Sequence, residues 1–419
     1  VGSEMCIRDR CIFVCIDYTK TSIAFVNNLK EDKIMKKMKK FLCLALAGAL
    51  AVSTLSGCGS KAASDTWKFG GIGPITGSYA QYGLGCKNAI QIAVDEINEA
   101  GGINGVKIEY KFEDDEVDNE KSVNAYNALK DWGMNVLIGS TTSGCSIAVS
   151  EKSSQDNLFQ ITPSASSADA VVKGNVFQVC FIDPNQGIDS AEYIGSNNMA
   201  SKVAVIYDSS DVYSSGIYEK FVQEAANQPF EIVSAEAFTA DSKTDFTVQL
   251  QKAQEAGAEL VFLPIYYSEA ALILSQANTM GYAPIFFGCD GMDGILTGVE
   301  GFDTSLAEGV ILLTPFAADA ADEKTQNFVK KYEEKYGETP NQFAADAYDA
   351  VYAVKAAIEQ SGATPEDGTS AICDKLVSAM TQITLDGLTG DGMTWSASGE
   401  VNKAPKAMKI VNGEYSLIQ

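Results

Sequence analysis

The chain is predicted to be an α/β protein built on parallel sheets, and three observations carry that expectation. Residues 70–118 alternate strand, tight loop, helix, turn and strand, a unit whose length implies a right-handed crossover between parallel strands. The same alternation of period-2 and helical patterns continues to the C-terminus. The part that remains after an N-terminal leader, about 350 residues, exceeds what one hydrophobic core usually organises and calls for two lobes.

The elements follow in order. Trp67–Ile72 is a short apolar run ending in glycines. Ile90, Ala93, Val94 and Ile97 recur at helical spacing, with Lys87, Gln91, Asp95 and Glu99 on other faces, and Gly101-Gly102 stops that helix. Val106, Ile108, Tyr110 and Phe112 alternate with charged residues, as in a half-exposed strand. Val136–Ile138, Phe159–Ile161 and Val176–Val179 add strands to a first series. Val203–Ile206 opens a second, continued by Ile232–Phe238, Leu260–Leu263, Ile285–Phe287 and Val310–Leu313. Helical patterns lie between them at Ile217–Ala226, Phe246–Ala256 and Ala270–Met280. The last third is helical at Lys324–Tyr336, Ala344–Ile358 and Ala371–Met380, then closes with strands at Met408–Val411 and Tyr415–Ile418.

The N-terminus predicts export. Lys36, Lys37, Lys39 and Lys40 precede the apolar run Phe41–Val52, which is too short to span a bilayer stably. Leu55-Ser56-Gly57-Cys58 then resembles a bacterial lipobox, which implies a signal peptide over 35–57 and a diacylglyceryl anchor on Cys58. Residues 58–65 form a small, polar tether. Residues 1–34 precede the signal and are read as an upstream segment foreign to the domain, with translation starting at Met35 or Met38. Removing residues 1–57 takes away nine of the 31 basic and five of the 55 acidic residues, so 22 basic groups face 50 acidic ones, a net charge of −28. Such a surface binds neither nucleic acid nor anionic lipid by charge, so membrane contact must come from the lipid.

Composition also limits chemistry. The chain has no histidine, which removes Ser-His-Asp and Cys-His catalysis and histidine-ligated zinc. Cys86, Cys145, Cys180, Cys289 and Cys373 are scattered singly, so they read as small buried hydrophobes. The run Glu113–Asp118 lacks the glycine of a calcium loop and reads as a solvated strand end. No SxxK motif sits near the expected cleft. A dinucleotide reading of Gly71-Ile72-Gly73 fails because Thr76 occupies the third glycine position and Pro74 interrupts the turn. No enzyme activity, metal or cofactor is expected.

Two hydroxyl-rich loops stand out. Ser140-Thr141-Thr142-Ser143-Gly144 follows one strand, and Ser164-Ala165-Ser166 follows the next. Each precedes a helix, so hydroxyls and free backbone N–H groups meet at a helix N-terminus, which suits a carboxylate without any arginine. Asp290, in Phe287-Gly288-Cys289-Asp290-Gly291, lies just past a strand end of the second series. Its plainer explanation is a turn aspartate before glycine.

The segment GPITGSYAQYG, followed by AVDEINEAGGINGVKI and the Asp114-Asp115 pair, resembles the start of the type I periplasmic solute-binding proteins, and within them the branched-chain amino-acid receptors of ABC importers. The likeness runs from about Lys68 to the C-terminus. It implies two doubly wound parallel-sheet lobes joined by a three-strand hinge, with the chain crossing at Asp183-Pro184, Thr314-Pro315 and near Ala404-Pro405. One lobe would hold 66–183 and 315–404, the other 184–314 and 405–419.

The resemblance also implies a site. Ser143 and Ser166 match hydroxyl donors to a ligand α-carboxylate, and Ser164 matches a residue acting through its backbone. Asp290 matches an acid that takes the α-ammonium, one methylene shorter than the usual glutamate. Tyr213 and Tyr266 match ligand-facing tyrosines, while Tyr82 and Phe343 match aromatic wall residues. Thr141 and Thr142 depart from the more apolar residues or disulfide cysteine usual there, which permits a smaller or more polar ligand side chain. The implied protein is a monomeric, membrane-anchored extracytoplasmic lipoprotein that captures a small neutral amino acid and delivers it to ABC permease and ATPase subunits. An amide, urea or short peptide as ligand, or a sensory receptor as partner, are the alternatives.

Overall fold

The computed structural model describes residues 66–418; the signal segment, Cys58 and the tether lie outside the described residues. The first lobe is laid out by β1 (Trp67–Gly73), α1 (Ala80–Glu99), β2 (Ile108–Asp114), α2 (Asn119–Trp132), β3 (Val136–Ile138), α3 (Ser143–Gln155), β4 (Phe159–Thr162) and β5 (Val176–Gln178). Its sheet runs β2-β1-β3-β4-β5, and every pairing is parallel. The strands β3 and β4 are buried along their whole length, which is why they read as continuous apolar runs and not as alternation.

The second lobe follows with α4 (Asp183–Ser196), β6 (Lys202–Asp208), α5 (Val212–Ala225), β7 (Glu231–Phe238), α6 (Thr247–Glu255), β8 (Leu260–Leu263), α7 (Tyr267–Thr279), β9 (Ile285–Gly288) and β10 (Ile311–Thr314). The chain then returns to the first lobe for α8 (Glu323–Tyr336), α9 (Gln342–Ser361) and α10 (Thr369–Met380). There α9 packs on α1 and α10 reaches β4, while Trp395 Nε1 donates to the Gln178 carbonyl at 2.8 Å. It ends as a hairpin, β11 (Lys406–Val411) and β12 (Glu414–Leu417), added antiparallel to β10. The second sheet therefore runs β12-β11-β10-β9-β8-β6-β7.

Capping and small residues explain the local order. Asp118 accepts from the N–H groups of Glu120 and Lys121 to start α2, and Gly133 ends it with φ of 90°. The helix α9 packs on α1 and carries small, fully buried residues, among them Ala344, Ala347, Ala350, Val351, Val354 and Ala357, which suit close packing. In α4, a Cβ on Gly187 would lie 2.5 Å from the Ile217 carbonyl oxygen, so α4 and α5 pack backbone to backbone. Gly83 has a similar duty at the first loop, where a Cβ would meet the Pro74 carbonyl oxygen at 2.0 Å.

Three sequence expectations need correction or sharpening. Asp183-Pro184 is not extended crossing chain: both residues open α4, where a backbone N–H would have no intrahelical acceptor and proline, lacking one, loses nothing. The run Glu113–Asp118 is not wholly solvated. Asp115 is fully buried, and Asp114 accepts from the Ile75 N–H at 2.9 Å and so pins the β1–α1 loop. Burial pushes the Asp115 carboxyl up to about 7. The strand expected from Val106 begins at Ile108 instead, because Val106 turns back to bridge Ile103. All five described cysteines are buried and unpaired. Among the described residues, no helix is long and apolar enough to cross a membrane, and no cluster suits a metal ion.

Candidate functional site

The residues singled out in the sequence converge. Tyr82, Thr141, Thr142, Ser143, Ser164, Ser166, Tyr213, Tyr266, Asp290 and Phe343 line one cavity of about 250 Å³, together with Gly291. Topology explains the convergence. Nine of the ten lie just beyond the carboxyl ends of parallel strands: β1, β3 and β4 of the first sheet, and β6, β8 and β9 of the second. That is where open α/β sheets leave a crevice. Phe343 is the exception, supplied by the first turn of α9.

The first-lobe wall offers hydroxyls. Thr142 is the N-cap of α3, but its side chain makes no capping bond. Thr142 Oγ1, Ser140 Oγ and Ser166 Oγ are all buried without a hydrogen-bond partner. Buried hydroxyls are normally satisfied, so the two unpartnered ones in the cavity wall, Thr142 and Ser166, mark a place where a polar group is wanted. Ser143 Oγ is partly committed, accepting the Ser167 N–H at 3.2 Å. Thr141 Oγ1 is turned away to donate to the Ile72 carbonyl at 3.3 Å, which leaves its methyl for the cavity side of the loop. The first-turn N–H groups of α3 have no intrahelical acceptor and add positive potential here.

The second-lobe wall is acidic. Asp290 is buried, and its Oδ1 accepts the Tyr213 hydroxyl at 2.6 Å. Burial pushes this carboxyl up to about 7, with the Tyr213 hydroxyl and the Gln186 side chain pulling the other way. None of the eleven lining residues is basic. Tyr213 also accepts the Gly291 N–H at 2.9 Å and stacks on Tyr266 at 5.1 Å. The two lobes meet through aromatic and amide contacts. Tyr82 donates to the Gly291 carbonyl and packs on Phe343 at 4.4 Å, while Gln342 Nε2 donates to the Asp290 carbonyl at 2.8 Å. At the mouth, Lys243 Nζ donates to the Tyr79 hydroxyl at 2.7 Å, and that hydroxyl donates to Glu269.

Sequence reasoning missed Gly291 of the lining and three residues that adjoin lining residues. Gly291 was overlooked because a glycine carries no side-chain signal; a Cβ there would meet the Tyr213 hydroxyl at 2.7 Å. Ser140 and Gln342 were not weighed as site residues. Asp183, the first residue of α4, is 2% exposed and has no hydrogen-bond partner for either carboxylate oxygen. Its signal was the proline behind it, which marks a helix start and not a crossing strand.

Two α/β lobes with a cavity between them, hydroxyls on one wall and a carboxylate on the other, have the layout of a ligand-binding protein. Residues 66–414 match the family model described as periplasmic binding protein, and the chain belongs to that family. It is 30% identical over 330 residues to the Leu/Ile/Val-binding protein homolog 3 of Brucella melitensis, covering 78% of this chain and 88% of that protein. It is 27% identical to the leucine-, isoleucine-, valine-, threonine-, and alanine-binding protein of Pseudomonas aeruginosa, covering 79% of this chain and 86% of that one. Among solved structures it is similar to the branched-chain amino acid transporter substrate binding protein LivJ of Streptococcus pneumoniae in complex with isoleucine, with a TM-score of 0.76 and 29% identity over 84% of this chain and 99% of that chain. A solute binding protein of Rhodopseudomonas palustris in complex with benzoate shares the fold at 19% identity and a TM-score of 0.74.

Proposed function

We propose that this protein captures a small neutral L-amino acid outside the cytoplasm and delivers it to an ABC importer. The observation that carries the reading is the polarity of the cavity: orphaned hydroxyls and a helix N-terminus on one lobe, a buried carboxylate on the other. An α-amino acid presents a carboxylate and an ammonium from one carbon and satisfies both walls together. The relatives' leucine, isoleucine, valine, threonine and alanine are ligands of this kind. Tyr82, Tyr266 and Phe343 give the side-chain end an apolar wall, while Thr141 and Thr142 tolerate a small or hydroxylated side chain.

Capture works by differential contact. The two lobes close about the segments where the chain passes between the two sheets, before α4, after β10 and before β11. A ligand pairs with the hydroxyls and with Asp290 together only when the lobes are shut, so it favours the closed form that a permease recognises. Cys58 carries the lipid that holds the monomer at the membrane. Thermal shifts of residues 66–419 with the common amino acids test the reading. At about 1,000 times the dissociation constant a ligand adds roughly 4 kcal/mol of stability. Valine, leucine, threonine or alanine should lead, and arginine, lysine and the D-isomers should have little effect. A shift with an amide or urea and with no amino acid would overturn it.

A further inference from the structure

We propose that Tyr79, Lys243 and Glu269 form a latch across the mouth of the cleft, which holds the two lobes shut over the ligand and sets how long it stays. The inference rests on the amino-acid reading and adds to it the residues that fix the residence time. The two jaws come from different lobes. Tyr79 ends the β1–α1 loop of the first lobe as the N-cap of α1. Lys243 lies between β7 and α6, and Glu269 in the first turn of α7, both in the second lobe. The Tyr79 hydroxyl donates to Glu269 Oε1 at 2.5 Å and accepts from Lys243 Nζ at 2.7 Å, and the lysine stands 3.4 Å from the same carboxylate oxygen. Glu269 is buried, so this bond to a charged acceptor is of the stronger kind. Burial, and then the Glu269 charge, push the Tyr79 hydroxyl well above its ordinary value, so it remains a donor.

Each jaw is fixed within its own lobe, so the bond cannot follow the lobes apart. Asp114 holds the Tyr79 loop, accepting from the Ile75 N–H at 2.9 Å and from the Thr76 hydroxyl at 2.5 Å. On the other side Gln276 of α7 accepts the Phe246 N–H at 2.7 Å and donates to the Thr244 carbonyl at 3.0 Å, which ties the Lys243 segment to the helix that carries Glu269. Opening therefore separates Tyr79 from both partners, while Lys243 and Glu269 keep each other. The latch adjoins the site without entering it. The Tyr79 ring meets Tyr266 edge-on at 5.3 Å and lies parallel to Tyr82 at 6.3 Å, and those two line the cavity, whereas no latch residue does. Beyond it lies an outer chamber of about 740 Å³, whose lining brings Glu116 of the first lobe together with Asp208 and Asp211 of the second. Among the described residues that line this chamber Lys243 is the only base, so it also offsets the acids that closing gathers. A bond made only in the closed form shifts the open–closed balance by its own worth, and its loss lowers the affinity for every ligand by one common factor. Release needs opening, so that factor falls on the rate of release and not on entry to the open form.

Titration calorimetry and stopped-flow release of L-valine, L-leucine, L-threonine and L-alanine test this on the parent, Tyr79→Phe, Glu269→Ala and the double variant. Tyr79→Phe keeps the ring and removes the donor. It should bind each of the four amino acids about 10-fold more weakly, the worth of one hydrogen bond to a charged group, with the loss in the release rate. Glu269→Ala should lose a similar factor, and the double variant less than the product of the two, because they share a bond. A cooperative ligand-free melting transition shows each variant folded, and Lys243→Met replaces Tyr79→Phe if that one does not fold. Unchanged affinity would overturn the proposal. So would losses that differ among the four ligands, which mark direct contact with the ligand, losses that multiply in the double variant, or a loss confined to association. If the parent binds none of the four amino acids, the amino-acid reading falls and this proposal falls with it.

Discussion

Asp290→Asn should move stability and binding in opposite directions. The Asp290 carboxyl is pushed from 3.8 to about 7 by burial, and a shift of about three units corresponds to about 4 kcal/mol between its two protonation states. The folded protein holds this proton more tightly than the unfolded chain does. Stability therefore falls as pH rises from about 4 to about 7 and stays low above that. Asparagine does not titrate, and the Tyr213 hydroxyl can still donate to its side-chain oxygen. The ligand-free variant should gain up to about 4 kcal/mol near pH 8 and almost nothing near pH 4. Binding should meanwhile weaken by roughly 2–5 kcal/mol, because the ammonium loses a buried partner. Urea unfolding at both pH values, with and without L-valine or L-leucine, reads both effects. Equal stability near pH 8 together with unchanged affinity would refute the assignment of Asp290 as a buried, unpaired acid awaiting a cation.

Other outcomes follow from the same geometry. Ser166→Ala should weaken amino-acid binding by about 1–3 kcal/mol in calorimetry, since it removes an orphaned hydroxyl at the anion wall. Affinity should rise with pH up to about 7 and then level off as Asp290 ionises, while the ligand ammonium stays charged; a flat profile from pH 5 to 8 would contradict this. Lys403→Met should destabilise the fold by about 3–5 kcal/mol in urea by stranding Asp346, which Lys403 now meets at 2.7 Å with both side chains buried. Cys58→Ala should abolish acyl labelling in cells and leave the protein uncleaved or released, and unchanged acyl labelling together with unchanged membrane retention would rule out the lipid anchor.

The fold was legible wherever apolar residues kept one period. Leu260–Leu263 is a strand end to end because four consecutive buried residues leave no helical phase to compete. The start of α4 was not, because Asp-Pro reads locally as a break, and only the Gly187 contact with α5 shows that a helix is required there. Asp115 was misjudged for a related reason. In a run of acids nothing local says which one faces inward, and its burial is decided by the neighbouring Ser140 and Cys145 loop. Pattern alone located the hydroxyl loops and Asp290 at strand ends, while Tyr82, Tyr213, Tyr266 and Phe343 were named only through the family resemblance. Asp183 and Gly291 were not legible, since one depends on a helix start in the other lobe and the other on the space a missing side chain leaves.

The five unpaired cysteines have a consequence for the chain's passage out of the cell. Burial raises Cys86, Cys145 and Cys373 to about 12 and pushes Cys180 and Cys289 well above the ordinary thiol value. At neutral pH only about one in 10⁵ of such thiols is the reactive thiolate, against a few per cent for a thiol in open chain. The native fold is thus its own protection against oxidants, with no reductant needed. The unfolded chain has none of that protection. Outside a reducing cytosol, the yield of this protein becomes a race between the closing of its two sheets and the first disulfide to form.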